Sequence, residues 1–585
     1  MLIAGVNTGR TRDGALQLKD GAACILRDGE FIVAVAEERL TREKHAGGFE
    51  RSLQYCLSAA GLEPTDLDMI VVSSCAEEPL EDGYDVGLPI ERTRVRAMPS
   101  HHLSHAYTAF MTSPFEEAVV MILDNEGNLL GGRKDSAYWD NRVERNSYFL
   151  GSGDQIELIE AADDRLSDDE IGPGEAYRHF TYFLGWHSYV YAGNTMGLAS
   201  YGRSDAFESL RVFDLESGSI RSLLRNGGSD PAAAVTNLGQ ASGFPIGPPR
   251  SPREAITPRH SDVAAVIQDE LERALIYKAK TLYHVTGVKN LCLGGGVALN
   301  CVANRKILDC TPFERVYVGP APSDSGQCLG NALYGWISLA ERPRRRGGLS
   351  PFLGRRYSES ELMSAISEEE TRLSCVRSPT IAQDAAGLLA EGHILGWFQG
   401  GSELGPRALG ARSILADPRQ PAMRDYLNLV IKHREPFRPY APSVLDTDVG
   451  RFFDLPQPSL YMELAATASA AVCGTIPAVV HVDNSSRPQT VFRGDHSPFS
   501  LLIAEFHRRT GVPMILNTSF NLSGEPIVES PKDAIQCFLR SELDALVMGD
   551  LLIRRRPSAS STSLFWKWAL GASTPTTDCG ACPAG

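Results

Sequence analysis

The sequence predicts an α/β protein of two domains. Short apolar runs suited to buried strands alternate with longer segments that are apolar at helical spacing. The 585 residues exceed what one hydrophobic core ordinarily organises. Composition changes abruptly at ERPRRRGGLSPFLGRR, residues 341–356, where basic, glycine and proline residues replace periodic apolar ones. This linker sets the expected domains at 1–345 and 346–556, with 557–585 as a flexible tail.

Along the chain, GAACILRDGEFIVAVAEERL predicts two strands joined by Asp28-Gly29, a dipeptide that tolerates the positive φ of a tight hairpin turn. AVVMILDNEGN is a buried-type strand that delivers Asp124 to a Gly/Asn turn. VAAVIQDELERALIYKAKTLYHVTG is apolar at helical spacing and ends at Gly287, which predicts a long helix. NLCLGGGVALNCVANRKIL follows as strand, triple glycine and helix. No short internal repeat is visible.

Composition excludes several functions. A hydrophobic content of 43% and a charged content of 22% are those of a globular protein. Runs such as AVVMIL fall far short of the roughly 20 apolar residues that span a bilayer, so no membrane segment is expected. MLIAGVN lacks the basic flank and cleavage site of a signal peptide, which predicts a cytoplasmic protein. A formal charge of −15 argues against a nucleic-acid-binding surface. The twelve cysteines are expected as reduced thiols, and the one CxxC, Cys579 and Cys582, falls in the tail.

Three clusters carry chemistry. In SHHLSHAYTAF, His101 and His105 are four apart, so a helix turns both imidazoles to one side and His102 away. The bland alternative is that they satisfy local hydrogen bonds at a helix start. With Asp124 and with Asp324 of GPAPSDSG they make a mixed nitrogen and oxygen set suited to Fe(II), Mn(II) or Zn(II). GGGVALN, Gly294 to Asn300, is either a phosphate-approaching turn or a tight strand-to-helix connection. The stretch from FQGGSELGPRALGARSILADPR to IKHREPFRPYAPSVL places Arg407, Arg412, Lys432 and Arg438 among glycine and proline, a pattern suited to an anion pocket. Arg487, Asn517 and Ser519 add polar groups in turn-rich sequence.

HHLSHA, the Asp after VVMIL, GGGVALN, PSDSG, GSELGPRALGARSIL, FRPYAPSVL, RPQTV and LNTSFNLSGEPIV occur in this order. Together they resemble the O-carbamoyltransferase family that includes the nodulation-factor, cephamycin and tobramycin carbamoyltransferases. The resemblance implies an N-terminal actin/sugar-kinase-like (ASKHA) domain, as in the threonylcarbamoyl-tRNA transferases, followed by a YrdC-like α/β domain. It implies that carbamoyl phosphate and ATP with Mg are converted to carbamoyl-adenylate in the second domain. The first domain then passes the carbamoyl group to a hydroxyl of a small-molecule natural product. Carried over residue by residue, His101, His105, Asp124 and Asp324 hold iron, while Gly295, Gly296 and Asn300 hold the adenylate beside Lys44. Arg407, Lys432, Arg438, Met462, Arg487, Asn517 and Ser519 match the carbamoyl phosphate and nucleotide site.

One segment departs from the family pattern. Where the family commonly carries a histidine in a pattern like HDAS-AAL, this chain has QLKDGAACIL, with Lys19 in the histidine place and Asp20 retained. Lys19 is expected to orient the acceptor or intermediate, with Asp20 or a metal-linked group receiving the proton. Other readings remain open: a tRNA threonylcarbamoyl transferase-like enzyme, or a nucleotide- and metal-binding regulator without transfer activity. A homodimer is open as well.

Overall fold

The computed structural model describes residues 1–585 except 10–19, 75–78, 126, 131–141, 166–170, 208–209, 225–229, 245, 557–562 and 570–585. Strands β1 (Leu2–Asn7), β2 (Ala22–Arg27) and β3 (Glu30–Ala36) pair antiparallel. Asp28 and Gly29 turn β2 into β3 with φ of 49° and 83°, the left-handed values expected of the dipeptide. Helices α1 (Glu37–Thr41) and α2 (Glu50–Ala60) carry the chain across to β4 (Met69–Ser73) and β5 (Val95–Ala97), which continue the sheet in parallel. The order is β3-β2-β1-β4-β5.

Helix α3 (His101–Met111) leads into β6 (Glu117–Leu123), the expected buried strand before Asp124. After β7 (Leu129–Leu130), strands β8 (Arg142–Ser152) and β9 (Gln155–Arg165) pair antiparallel outward from β6. Helices α4 (Pro173–Phe183) and α5 (Ala192–Ala199), the hairpin β10 (Phe213–Glu216) and β11 (Ser219–Ser222), α6 (Pro231–Ala241) and α7 (Pro258–Thr286) follow. Helix α7 is the long helix predicted, closed by Gly287 at φ 68°. The chain re-enters the sheet as β12 (Asn290–Gly294), crosses through α8 (Cys301–Cys310) to β13 (Arg315–Val318), and ends this part in α9 (Gln327–Tyr334).

The second sheet therefore repeats the first. Its strands β9-β8-β6 form an antiparallel trio, and β12 and β13 extend it in parallel from the first strand, as β4 and β5 extend β1. This duplicated sheet is the expected actin/sugar-kinase-like architecture. Helices α3 and α9 each follow the fifth strand of their repeat and pack together between the sheets. A Cβ on Gly330 of α9 would lie 2.0 Å from the Ser104 carbonyl of α3, so the glycine permits the close approach.

Residues 341–358 contain no helix or strand, yet they are fastened down. Arg344 donates to the Ser113 and Phe115 carbonyls, and the Leu353 carbonyl accepts from Ala34. Beyond it, α10 (Glu359–Ser367), β14 (Leu373–Arg377), α11 (Ile381–Ala390), β15 (Leu395–Phe398), β16 (Arg412–Ala416) and α12 (Ala422–Tyr426) begin a second α/β body. It continues through β17 (Ala441–Leu445), α13 (Val449–Phe452), β18 (Phe453–Asp454), β19 (Ala466–Ala468), β20 (Ser485–Ser486) and β21 (Gln489–Val491). It closes with α14 (Pro498–Thr510), β22 (Met514–Ser519), α15 (Pro531–Leu539), β23 (Ala545–Met548) and β24 (Leu551–Arg555). Eight of these strands form one sheet in the order β14-β24-β23-β15-β16-β22-β17-β21.

Within the expected tail, residues 564–569 are a docked helix, α16 (Leu564–Ala569), rather than a loose extension. Phe565 is buried in the second core, and the Trp566 indole donates to the Glu391 carbonyl at 2.8 Å. Aromatic side chains give this stretch apolar area to bury. Cys579 and Cys582 lie outside the described residues. Every described cysteine is a free thiol. Among the described residues, no helix is long and apolar enough to cross a membrane.

Candidate active site

The two helices between the sheets converge at their N-termini on the predicted donor set. Ser100 caps α3 by accepting from Leu103, and the backbone N–H of His101 donates to Asn128 at 2.7 Å, which fixes the first turn. His101 and His105 then bring their Nε2 atoms to 3.2 Å. Asp124, one residue past β6, puts a carboxylate oxygen 3.5 Å from His101 Nε2 and 3.2 Å from His105 Nε2. Asp324, entering α9, puts one 3.4 and 3.3 Å from the same two atoms. Four donors bonded tetrahedrally to one ion at about 2.1 Å would sit roughly 3.4 Å apart, so the spacing fits a first-row divalent metal. The Asp124 Oδ2 atom is buried and has no hydrogen-bond partner, as expected of an oxygen awaiting a cation.

Electrostatics agree with that geometry. Burial alone would raise both carboxyls, but the two imidazoles hold Asp124 and Asp324 well below the usual carboxylate range. Burial works against a charged His105, yet both aspartates override it and raise its pKa. His102 faces away, bonded through Nδ1 to Ser147 Oγ at 2.7 Å, and burial pushes it down to about 4.

The glycine turn lies against this set. Gly295 takes φ 85°, and a Cβ there would sit 2.3 Å from the Leu123 carbonyl oxygen; one on Gly296 would sit 3.1 Å from Asp124 Oδ1. Asn300 caps α8 by accepting from Ala303 and exchanges two amide hydrogen bonds with Gln268 of α7. Tyr177 of α4 donates to the same Gln268 at 2.8 Å. The turn thus opens onto a wall built by three helices.

From the second body, Arg407, Arg438, Met462, Arg487, Asn517 and Ser519 face the same space. A cavity of about 590 Å³ is lined jointly by these residues and by Asp20, Lys44, Asp124, Gly296, Asn300 and Asp324. Its cations are crowded. Burial, then the neighbouring Arg487 and Arg438, lowers Arg407 to about 9; burial and Arg434 lower Arg438 to about 10. Arg487 Nε and Arg434 Nη2 are buried without a hydrogen-bond partner. Lys44, from the first body, is lowered by burial, and Arg438 and Arg407 add to the effect against the opposing Glu38. Several cations in one recess with orphaned donors suit a polyanionic ligand.

The comparisons with known proteins agree over most of the chain. Residues 14–83 and 89–333 match the family description "Carbamoyltransferase N-terminus", and residues 386–555 match "Carbamoyltransferase C-terminus". The chain belongs to the carbamoyltransferase family. "Nodulation protein NolNO" of Sinorhizobium fredii is 35% identical over 580 residues, covering 93% of this chain and 80% of the relative. "Nodulation protein NolO" of Bradyrhizobium diazoefficiens is 36% identical over 487 residues, covering 81% of this chain and 82% of the relative.

Not every predicted site residue of this carbamoyltransferase lines the cavity. Lys19 lies outside the described residues. Lys432 is buried and donates to the Ser519 carbonyl, the Asn521 carbonyl at 2.9 Å and Asn521 Oδ1 at 2.7 Å, so it props the end of β22 from behind. Arg412, grouped with the anion pocket by sequence, is fully buried over the Phe398 ring and donates to the carbonyls of Gln399, Gly400 and Glu529. Sequence reasoning missed Gln327, whose Nε2 lies 3.0 Å from His101 Nδ1 and 3.3 Å from Asp324 Oδ1. Its place three residues after Asp324, at a helix start, was a usable signal. It also missed His45, whose Nδ1 is 2.7 Å from Asp20 Oδ1.

Proposed function

We propose that this carbamoyltransferase makes carbamoyl-adenylate from carbamoyl phosphate and ATP, and transfers the carbamoyl group to a hydroxyl of a small-molecule natural product. The observation that carries the reading is one shared cavity, in which the crowded guanidinium groups of Arg407, Arg438 and Arg487, the last with a buried Nε lacking a hydrogen-bond partner, line the same space as the glycine turn and the donor set. Two polyanions brought together repel, and fixed cations offset that repulsion without reorganising. Mass balance requires one water: it cleaves carbamoyl phosphate to carbamate and orthophosphate, and a carbamate oxygen then bonds to the α-phosphorus of ATP as pyrophosphate leaves.

Arg407, Arg438 and Arg487 bind phosphate oxygens in the YrdC-like body. Asn517 lends a buried amide, and Lys432 keeps Ser519 in register. Gly295 and Gly296 let backbone approach the adenylate phosphate, Asn300 and Gln268 brace the nucleotide wall, and Lys44 pairs with the intermediate. His101, His105, Asp124 and Asp324 would hold Fe(II), or Mn(II) or Zn(II). The ion would supply positive charge beside the carbamoyl-adenylate phosphate. An intermediate formed in this cavity need not cross open water, which favours transfer over hydrolysis.

The test is pyrophosphate release from ATP. We expect it to depend on carbamoyl phosphate, and we expect carbamoylated product only when a hydroxylated acceptor from a metabolite panel is present. Pyrophosphate release that ignores carbamoyl phosphate would refute the reading.

A further inference from the structure

Asp20 and His45 meet across the cavity wall in an arrangement the chain reaches only under constraint. Both take left-handed backbone angles, φ 47° at Asp20 and 58° at His45, which non-glycine residues seldom adopt. Such strain persists where surrounding structure imposes it, and it clusters at working sites. Here the imposing structure is visible. Gly21 N–H donates to the Ala46 carbonyl at 2.9 Å, and a Cβ on Gly21 would lie 1.7 Å from the Gly48 carbonyl oxygen, so the two segments are pressed together. His45 N–H donates to Glu38 Oε2 at 2.9 Å, tying its backbone to the first turn of α1.

The result is an imidazole held by a carboxylate, Nδ1 to Oδ1 at 2.7 Å, on the wall of the cavity that also contains Lys44 and Asp324. An alcohol is a weak nucleophile near neutral pH and needs a base within hydrogen-bond reach. We infer that His45, oriented by Asp20, takes the proton of the acceptor hydroxyl during carbamoyl transfer; this rests on the two-step function proposed above. The acceptor O–H bond breaks as its oxygen bonds to the carbamoyl carbon. The bond from that carbon to the phosphate oxygen breaks, AMP leaves with the electron pair, and the proton rests on His45 Nε2 until it passes to water. Asp20 holds the Nδ1 proton and stabilises the imidazolium.

The groups facing His45 set its pH response. Burial disfavours the imidazolium, and Lys44 adds to that, but the Asp20 carboxylate, assisted by Glu38, raises the His45 pKa above its ordinary value. The neutral imidazole is the working form, so transfer rises as pH climbs through that value and then levels.

The experiment needs no acceptor, because water serves as the probe nucleophile. Enzyme in excess is mixed with ATP and carbamoyl phosphate, pyrophosphate reports formation of carbamoyl-adenylate, and AMP reports its breakdown within the site. We expect His45→Gln to release pyrophosphate as the wild type does, to release AMP roughly a hundredfold more slowly, and to lose the rise with pH. Asp20→Asn should slow AMP release and shift the rise to lower pH, since the charge that raises His45 is gone. AMP release from His45→Gln at the wild-type rate, with the same pH profile, overturns the inference. So does loss of pyrophosphate release in that variant, which would make His45 a structural residue. A wild type that yields no carbamoyl-phosphate-dependent pyrophosphate overturns the two-step function itself.

Discussion

Gly295→Ala tests whether the glycine turn and the metal donors are one mechanical unit. Gly295 has φ 85° and ψ 170°, a region open essentially to glycine alone, so alanine incurs about 1–3 kcal/mol of backbone strain there. Its Cβ would also stand 2.3 Å from the Leu123 carbonyl oxygen, where ordinary contact begins at 3.4 Å, so about 1 Å must open between β6 and the turn. The Leu123 backbone runs directly into Asp124, whereas metal sites tolerate ligand displacements of only about 0.2 Å. The variant should therefore lose bound metal after reconstitution with Fe(II), Mn(II) or Zn(II), and its thermal midpoint should fall. Gly348→Ala is the control: φ 77° is also a left-handed value, but nothing lies within 4 Å of the added Cβ, so metal should be retained. Elemental analysis and thermal melts of both variants decide the matter. Wild-type metal content in Gly295→Ala, or equal loss in the control, refutes the coupling.

His105→Ala should strip the metal and depress carbamoyl transfer far more than adenylate formation; equal metal content in variant and wild type would sink the ligand assignment. Arg407→Ala should slow carbamoyl-adenylate formation roughly ten- to a hundredfold, the value of about 1.5–3 kcal/mol for one charge-assisted phosphate contact, read as pyrophosphate release. Burial pushes Glu463 from an ordinary 4.5 up to about 7, so the folded state favours the protonated carboxyl. That stabilisation is fully present below 4.5 and is lost as pH rises through about 7, amounting to about 3 kcal/mol. Glu463→Gln should remove this pH dependence from the denaturant midpoint, and a wild-type-minus-variant difference that does not change with pH would rule it out.

Much of the site was legible because its signals are local. The i, i+4 histidine pair, the carboxylate ending an apolar strand, the Asp-Gly hairpin and the triple glycine each impose geometry within a few residues. The duplicated sheet left no sequence repeat, because β-pairing and burial constrain hydrophobicity and spacing but not identity. Arg407 and Arg412 sit five apart in the same glycine-rich stretch, yet one faces the cavity and the other lies over Phe398. No spacing rule separates a guanidinium facing a ligand from one that satisfies carbonyls. The Asp20–His45 pair was hidden for another reason: two strained turns 25 residues apart meet only once β2 and β3 have folded between them.

The donor set draws its histidines from the helix that closes the first repeat, one aspartate from the strand that opens the second, and the other from the turn before the second repeat's closing helix. A nascent chain that has emerged only as far as β6 therefore offers two imidazoles and one carboxylate, a weak and unselective trap for whatever cation is abundant. The fourth donor of the proposed set, Asp324, would join only after the strands of both sheets and the long helix have been made. On the ligand assignment proposed above, metal loading would report on assembly of the whole N-terminal part, and a destabilising substitution along α7 should surface first as a protein carrying the wrong metal or none.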